Sequence, residues 1–325
     1  MSSEDAGQIA RKRRIMPEEK KLPEAVIRKL NHLTEELENF EEIALRLKPA
    51  PGEIPNLPGI DVFGTTIPLA GAIGGDHIIY LDFKQRHDLD ARIAQARKKG
   101  LDQIAAKLEE MKQTAGVLLA DVSGHRITDA VLAAMLHQSF LLGAIYELQI
   151  SGTITTRLFE NINNRFYRSS SVRKFLTMIY GEIHVSGRFR FISAGHPPPL
   201  VFSNEFDEFV DIHPDLLVSY PPIGTMPSKT DPDLSRRPSV LGTKDKYTVN
   251  ELKLMGPGDI LVLYTDGLKE HENNGESYFP DRFEAKIREC KRNSARSICE
   301  DISRDLLAFG PPADDVSYIL IKKNS

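Results

Sequence analysis

The chain has 325 residues, 41% of them hydrophobic, and its 42 basic against 46 acidic side chains leave a formal charge of −4. This balance gives no electrostatic reason to bind nucleic acid, and the length fits one large domain or a domain with appendages. Apolar runs fall short of the ~20 residues that a membrane span needs, and the N-terminus lacks the apolar core of a signal peptide, so a cytoplasmic protein is expected. Cys290 and Cys299 are spaced for neither a redox pair nor a zinc site.

Residues 1–16 are polar and basic and read as a disordered tail. Over 17–48, Val26, Leu30, Leu33, Leu37, Phe40, Ile43 and Leu47 recur every three or four residues. That spacing predicts an amphipathic helix, suited to packing on its own domain or to dimerisation and regulation. Prolines and glycines make 49–58 a linker, and 59–325 is left as the main domain. Strands are expected at Ile60–Pro68 and Ile78–Phe83, around a glycine-rich turn that ends at Asp76. A helical insert follows at 85–113, with Leu89, Ile93, Ala96, Leu101, Ile104, Leu108 and Met111 as its apolar stripe and a break at Gly100.

Val117–Ala120 has no polar alternation, which predicts a strand buried on both faces and ending at Asp121. After the turn Val122–His125, Val131, Ala134, Met135, Leu141, Leu142, Ile145 and Leu148 predict a long helix with those residues on its core face and Thr128 as N-cap. A second helix is expected at Ile154–Phe166, then strands Thr177–Val185 and Arg188–Ser193 joined at Ser186–Gly187. A rigid turn through His196 leads to the strand Leu200–Phe202. The proline-rich, charged stretch that follows reads as a mobile surface loop over 227–246. Ile260–Tyr264 is a buried strand ending in Thr265–Asp266–Gly267; helices at Pro280–Lys291 and Ser294–Phe309 then lead to Asp314–Asp315 and the closing strand Val316–Ile321.

Asp76, Asp121, Asp266 and the Asp314–Asp315 pair share one context, a turn at one end of an apolar strand. Any one of them alone reads as a turn former. Strand pairing would gather the carboxylates, and without cations they would repel and raise one another's pKa. All-oxygen ligation suits two magnesium or manganese ions, which would share a water and aim it at a phosphoryl group.

The ordered series GGD (74–76), DVSGH (121–125), FLTMIYGEI (175–183), FISAGHPPPLVF (191–202), PPIG (221–224), LVLYTDGLKE (261–270) and DDVSYILI (314–321) resembles the metal-dependent protein serine/threonine phosphatases (PPM), in their bacterial SpoIIE/RsbU-like branch. The resemblance runs from about residue 58 onward. It implies an α+β fold, a sandwich of two antiparallel β-sheets flanked by helices, with a binuclear Mn²⁺ or Mg²⁺ centre between the sheets. By motif, Asp76 and Asp121 are bridging or first-metal ligands, Val122 offers its backbone carbonyl, and Asp266 with Asp314 or Asp315 holds the second ion, Asp314 being preferred.

The implied activity is dephosphorylation of phosphoserine or phosphothreonine on a bacterial signalling protein, a STAS-type anti-sigma factor antagonist in a partner-switching pathway, by direct attack of a metal-bound hydroxide. Arg126 stands where the family has glycine, either as a donor to substrate phosphate or facing solvent; His125 is a general acid or a structural residue. His196 reads as a packing or capping residue. The insert is longer than the family's short hairpin and would gate substrate or bind a separate regulator. Rival readings are a catalytically silent pseudophosphatase that binds phosphoproteins and a hydrolase of small phosphate esters. A homodimer, or a separate regulator acting through the N-terminal helix or the 85–113 insert, is the further expectation, beside packing of that helix on its own domain.

Overall fold

Apolar side chains at helical spacing begin the described chain as α1 (Glu24–Leu45). The structure is a computed structural model that describes residues 23–69, 74–123, 127–169, 175–236, 239–252 and 256–324; the N-terminal tail therefore lies outside the described residues. Strands β1 (Asn56–Leu57), β2 (Ile60–Ile67) and β3 (His77–Asp82) come next. Helices α2 (Phe83–Arg86), α3 (Leu89–Lys98) and α4 (Asp102–Met111) return the chain to β4 (Thr114–Val122). The helices α5 (Ile127–Ser151) and α6 (Thr156–Ser169) precede β5 (Leu176–His184), β6 (Phe189–Ala194), β7 (Leu200–Ser203), β8 (Glu208–Val210), β9 (Ser219–Tyr220) and β10 (Asn250–Leu252). Strand β11 (Ile260–Tyr264) leads through α7 (Asp266–Lys269), the hairpin β12 (Glu272–Asn273) and β13 (Glu276–Ser277), α8 (Asp281–Cys290) and α9 (Ala295–Phe309) to β14 (Val316–Lys323).

Two sheets form, one in the order β1-β2-β14-β11-β7-β8 and the other β10-β6-β5-β4-β3, with β9 added beside β6. All pairings are antiparallel except β6 with β9. Strand β4 shows why its sequence lacks polar alternation. Ala115, Val117 and Leu119 join the core between the sheets, while Leu118, Ala120 and Val122 join a second core beneath the helices. The other sheet repeats the pattern: Leu261 and Leu263 of β11 and Ile319 and Ile321 of β14 point inward, while Ile260, Val262, Tyr318 and Leu320 pack under α8 and α9. Four layers result, helices outside and two sheets inside.

The insert supplies α2, α3 and α4. Leu89, Ile93, Ala96, Leu108 and Met111 are buried as the stripe requires, and Gly100 turns the chain at φ +70°. Leu101 is exposed instead.

Helix α5 corrects the face assigned from periodicity. Its core face carries Ala130, Ala133, Leu136, Phe140, Ala144 and Leu148, whereas Val131, Met135, Leu142 and Ile145 are exposed. The helix is apolar almost all round, so hydrophobicity alone does not choose its face; alanines let it approach β4 and β5, and the larger side chains are left outside. By length and composition Asp129–Ser151 would cross a membrane, yet a third of that window is buried in this fold.

Segment 227–246 is tied down at both ends. Lys229 N–H donates to the Lys244 carbonyl and Lys244 N–H to the Pro227 carbonyl, Lys244 Nζ lies 2.9 Å from Glu160 and 3.4 Å from the Tyr247 ring centre, and Arg168 binds Asp231 at 2.7 Å. Charges that read as solvent-facing are matched by residues of α6.

Chain contacts divide the molecule into two units, 1–42 and 43–325. In the first, Val26, Leu30, Leu33 and Leu37 of α1 are exposed. In the second, Pro51–Glu53 of the linker makes one helical turn.

Candidate metal centre

Side-chain parity places the first two carboxylates. Strand β3 pairs with β4 so that His77 faces Ala120, which brings Asp76 and Asp121 to the same end of the sheet. Asp76 shares parity with Ile78 and Tyr80, and Asp121 with Val117 and Leu119, so both carboxylates point to the space between the sheets. In the facing sheet, β11 pairs with β14 up to Tyr264 opposite Tyr318. Asp266 and Asp314–Asp315 therefore leave that sheet at one shared end.

A hydroxyl joins the two ends. Thr265 Oγ1 donates to Asp76 Oδ2 at 2.8 Å and accepts from the Ser317 backbone N–H at 3.0 Å. The buried Asp315 does similar work: its Oδ1 accepts from Leu69 N–H at 2.7 Å and its Oδ2 from Gly75 N–H at 2.6 Å. Both flanking glycines are required by close approach. A Cβ at Gly74 would lie 2.2 Å from the Asp315 carboxylate, and one at Gly267 would lie 2.0 Å from the Asp315 carbonyl oxygen. Asp314 is half-buried and caps the Asp315 N–H at 2.6 Å.

The gathered charge is visible in the acids. Burial, then Asp266, Asp314, Asp315 and Asp129, push Asp121 up to about 7. Burial and Asp121 hold Asp76 well above the usual carboxylate range, against the hydrogen bonds from Ser317 and Thr265. Among the described residues no three acidic, histidine or cysteine side chains already converge on one coordination point. The donor set nevertheless fits hard divalent cations, because it consists of oxygens from both sheets that destabilise one another's charge.

Of the other residues singled out from the sequence, His125 and Arg126 lie outside the described residues, as does the side chain of Thr128. Val122 N–H reaches the Gly75 carbonyl at 3.4 Å, which ties the end of β4 to the turn before Asp76. His196 is buried, its Nδ1 2.9 Å from Thr177 Oγ1, and burial pushes it down to about 3, so it is neutral and packed. Two features were missed. Asp129, fully buried in the first turn of α5, adds its charge to the field at Asp121; its sequence signal was a carboxylate inside an apolar helix. His77 Nε2 lies 2.8 Å from His137 Nδ1, and burial with His137 pushes His77 down to about 3.

A helix-flanked double sheet with carboxylates at one shared rim defines the PP2C class of fold. Two solved structures have it: the SiaA-PP2C domain of Pseudomonas aeruginosa, TM-score 0.58 at 15% identity, covering 91% of this chain and 98% of that one, and the SpoIIE PP2C phosphatase domain with a fragment of its regulatory domain from Bacillus subtilis, TM-score 0.54 at 14% identity, covering 81% and 63%. The family model of stage II sporulation protein E (SpoIIE) matches residues 112–324, and the chain belongs to that family. Phosphoserine phosphatase RsbU of Bacillus subtilis is 25% identical over 217 residues, 65% of this chain and 56% of that protein. The chain thus spans a little over half the length of that relative. Asp76 precedes the matched stretch, yet pairing of β3 with β4 brings it to the site.

Proposed function

We propose that this protein is a Mn²⁺- or Mg²⁺-dependent phosphatase that removes phosphate from phosphoserine or phosphothreonine in a signalling protein. The observation that carries this reading is the placement of Asp76, Asp121, Asp266 and Asp314 at facing ends of two sheets, near enough that burial and its acidic neighbours push Asp121 up to about 7. Asp76, Asp121, Asp266, Asp314 and the Val122 carbonyl would hold two ions, while Asp315, with both oxygens engaged by backbone N–H groups, positions the turn carrying Asp76. When bound, such ions supply Lewis acidity and an activated water. The chain's own part is to hold the carboxylates apart at fixed separation and to keep Asp76 oriented through Thr265.

The substrate we favour is a STAS-type anti-sigma factor antagonist of a partner-switching pathway in the cytoplasm, a reading supported by the likeness to RsbU. The exposed apolar stripes of α1 and α5 would serve a homodimer or a separate regulator.

The test is manganese-dependent phosphate release from a phosphoserine protein, with wild type compared against Asp121→Asn and Asp266→Asn. Turnover in the wild type and its loss in both variants is the expected result. Calorimetric manganese binding without turnover on any phosphoprotein would favour a silent phosphoprotein-binding module, and turnover of small phosphate esters alone would replace the protein substrate.

A further inference from the structure

A cavity of about 320 Å³ opens beside the carboxylate rim without including Asp121, Asp266 or Asp314. Its apolar walls include Ala44 and Leu47 at and just beyond the end of α1, Ile54 of the linker, Phe63 of β2, Ile78 of β3, and Ala130 and Ala133 of α5. These are apolar surfaces, and the volume lies in the range of small-molecule sites. The lining also carries polar groups, among them Thr65, Thr66, Asp76 and His77, and three further ones bear on what the cavity could bind. Lys48 and Arg296 are exposed side chains that line the cavity and make no ion pair with a carboxylate among the described residues. The Arg296 guanidinium carbon lies 4.3 Å from the Phe63 ring centre, a cation–π contact that leaves its N–H groups without a carboxylate partner among the described residues. Tyr80 also lines the cavity; it is 3% exposed, and its hydroxyl has no hydrogen-bond partner. A buried hydroxyl without a partner is costly, and it is accounted for most directly by a ligand that supplies one. Burial, then Cys299, pushes that hydroxyl up, while the Gly64 backbone beside it and, after that, the Arg296 charge favour its ionised form.

We propose that this cavity binds a small amphiphilic carboxylate, with the carboxylate received by Arg296, Lys48 and the Tyr80 hydroxyl and the hydrocarbon body lying on Phe63, Ile78 and the alanines of α5. The guanidinium fork and the O–H donor suit a planar anion with two oxygens, whereas a neutral alcohol or alkane would leave the cations unused. Gly74 and Asp76 form part of the same wall, so the ligand would sit against the back of the turn that carries Asp76. This goes beyond the phosphatase reading and does not depend on it.

The experiment is titration of the full chain with decanoate by calorimetry, with decanol and 8-anilinonaphthalene-1-sulfonate as comparison probes. One saturable site for decanoate is expected, with decanol at least tenfold weaker and the fluorescent sulfonate displaced by decanoate. Arg296→Glu should weaken decanoate tenfold or more, and Tyr80→Phe severalfold. Ile54→Trp, which fills the cavity from the linker side, should abolish binding. Asp266→Asn should leave decanoate affinity unchanged, which separates this cavity from the carboxylate rim. Near-ultraviolet circular dichroism identifies any variant that has lost its packing, and the remaining variants then decide. Absence of saturable binding, decanol binding as tight as decanoate, or undiminished affinity in folded Arg296→Glu would each overturn the proposal.

Discussion

Thr265 and Asp76, 189 residues apart, meet through a hydroxyl-to-carboxylate hydrogen bond of 2.8 Å that spans the two sheets. Thr265 also receives the Ser317 N–H, so one hydroxyl holds three chain segments. Thr265→Val keeps the shape but removes one of the donors to Asp76 and the acceptor of the Ser317 N–H, and it should cost about 1–3 kcal/mol. Urea unfolding measures the stability, and calorimetry should show weaker manganese binding in the same variant.

The neighbouring acids Asp314 and Asp315 should separate by measurement. Asp315→Ala strips acceptors from two backbone N–H groups and should destabilise the fold by about 2–4 kcal/mol. Asp314→Ala, which removes one acceptor from the Asp315 N–H, should cost no more than about 1.5 kcal/mol and lower manganese affinity at least tenfold. Melting curves set beside metal titrations read both effects.

Glu182 should give the protein a pH dependence of its own, apart from the carboxylate rim. Burial raises its carboxyl from 4.5 to about 7, with the Tyr180 hydroxyl donating to it at 2.9 Å. The folded form then holds more protons than the unfolded chain between these values, so this contribution to stability falls as pH rises through the window. Glu182→Gln should remove a slope amounting to about 2–3 kcal/mol between pH 4.5 and 7. The difference between wild-type and variant stability across that range isolates the group.

The rotational setting of α5 has a direct test. Phe140 packs at 5.2 Å from the Tyr180 ring centre and is fully buried, whereas Leu142 is 59% exposed. Phe140→Ala should cost about 3–5 kcal/mol and Leu142→Ala no more than about 0.5 kcal/mol. Comparable losses at both positions would place the helix wrongly.

Lys244 and Glu160 anchor the long proline-rich segment. Lys244→Ala leaves a buried carboxylate without its cation, at a cost of about 3–5 kcal/mol. Limited proteolysis should then cut within 227–246 faster than in the wild type, and sequencing of the fragments locates the cleavage.

What the sequence revealed of this molecule follows from how locally each feature is encoded. Ile260–Tyr264 matches the observed strand to the residue because an unbroken apolar run between turn residues has one reading, and the helix expected over Ser294–Phe309 is α9 with Ser294 as its N-cap. The rim carboxylates were legible because each sits at a turn beside a buried strand. The face of α5 was not, since a helix apolar on most sides carries no periodic signal and only its neighbours select the buried stripe. Asp129 and the His77–His137 pair were illegible for a related reason: their significance lies in partners brought near by the fold, and their local context looks ordinary. The ties of segment 227–246 belong with these, because Glu160 and Arg168 are distant in sequence.

The contact between Gly75 and Asp315 spans 240 positions, and the strand that follows Asp315 lies in the middle of its sheet, between β2 and β11. Strand β14 is translated after every other strand of both sheets. During synthesis the ribosome therefore carries a chain whose early carboxylate, Asp76, has no locked turn, and β2 and β11 wait unpaired on the sides that β14 will fill. The hydrogen bonds from Gly75 and Leu69 to Asp315 can form only once β14 is in place, so the turn that carries Asp76 stays unlocked until that strand closes the sheet.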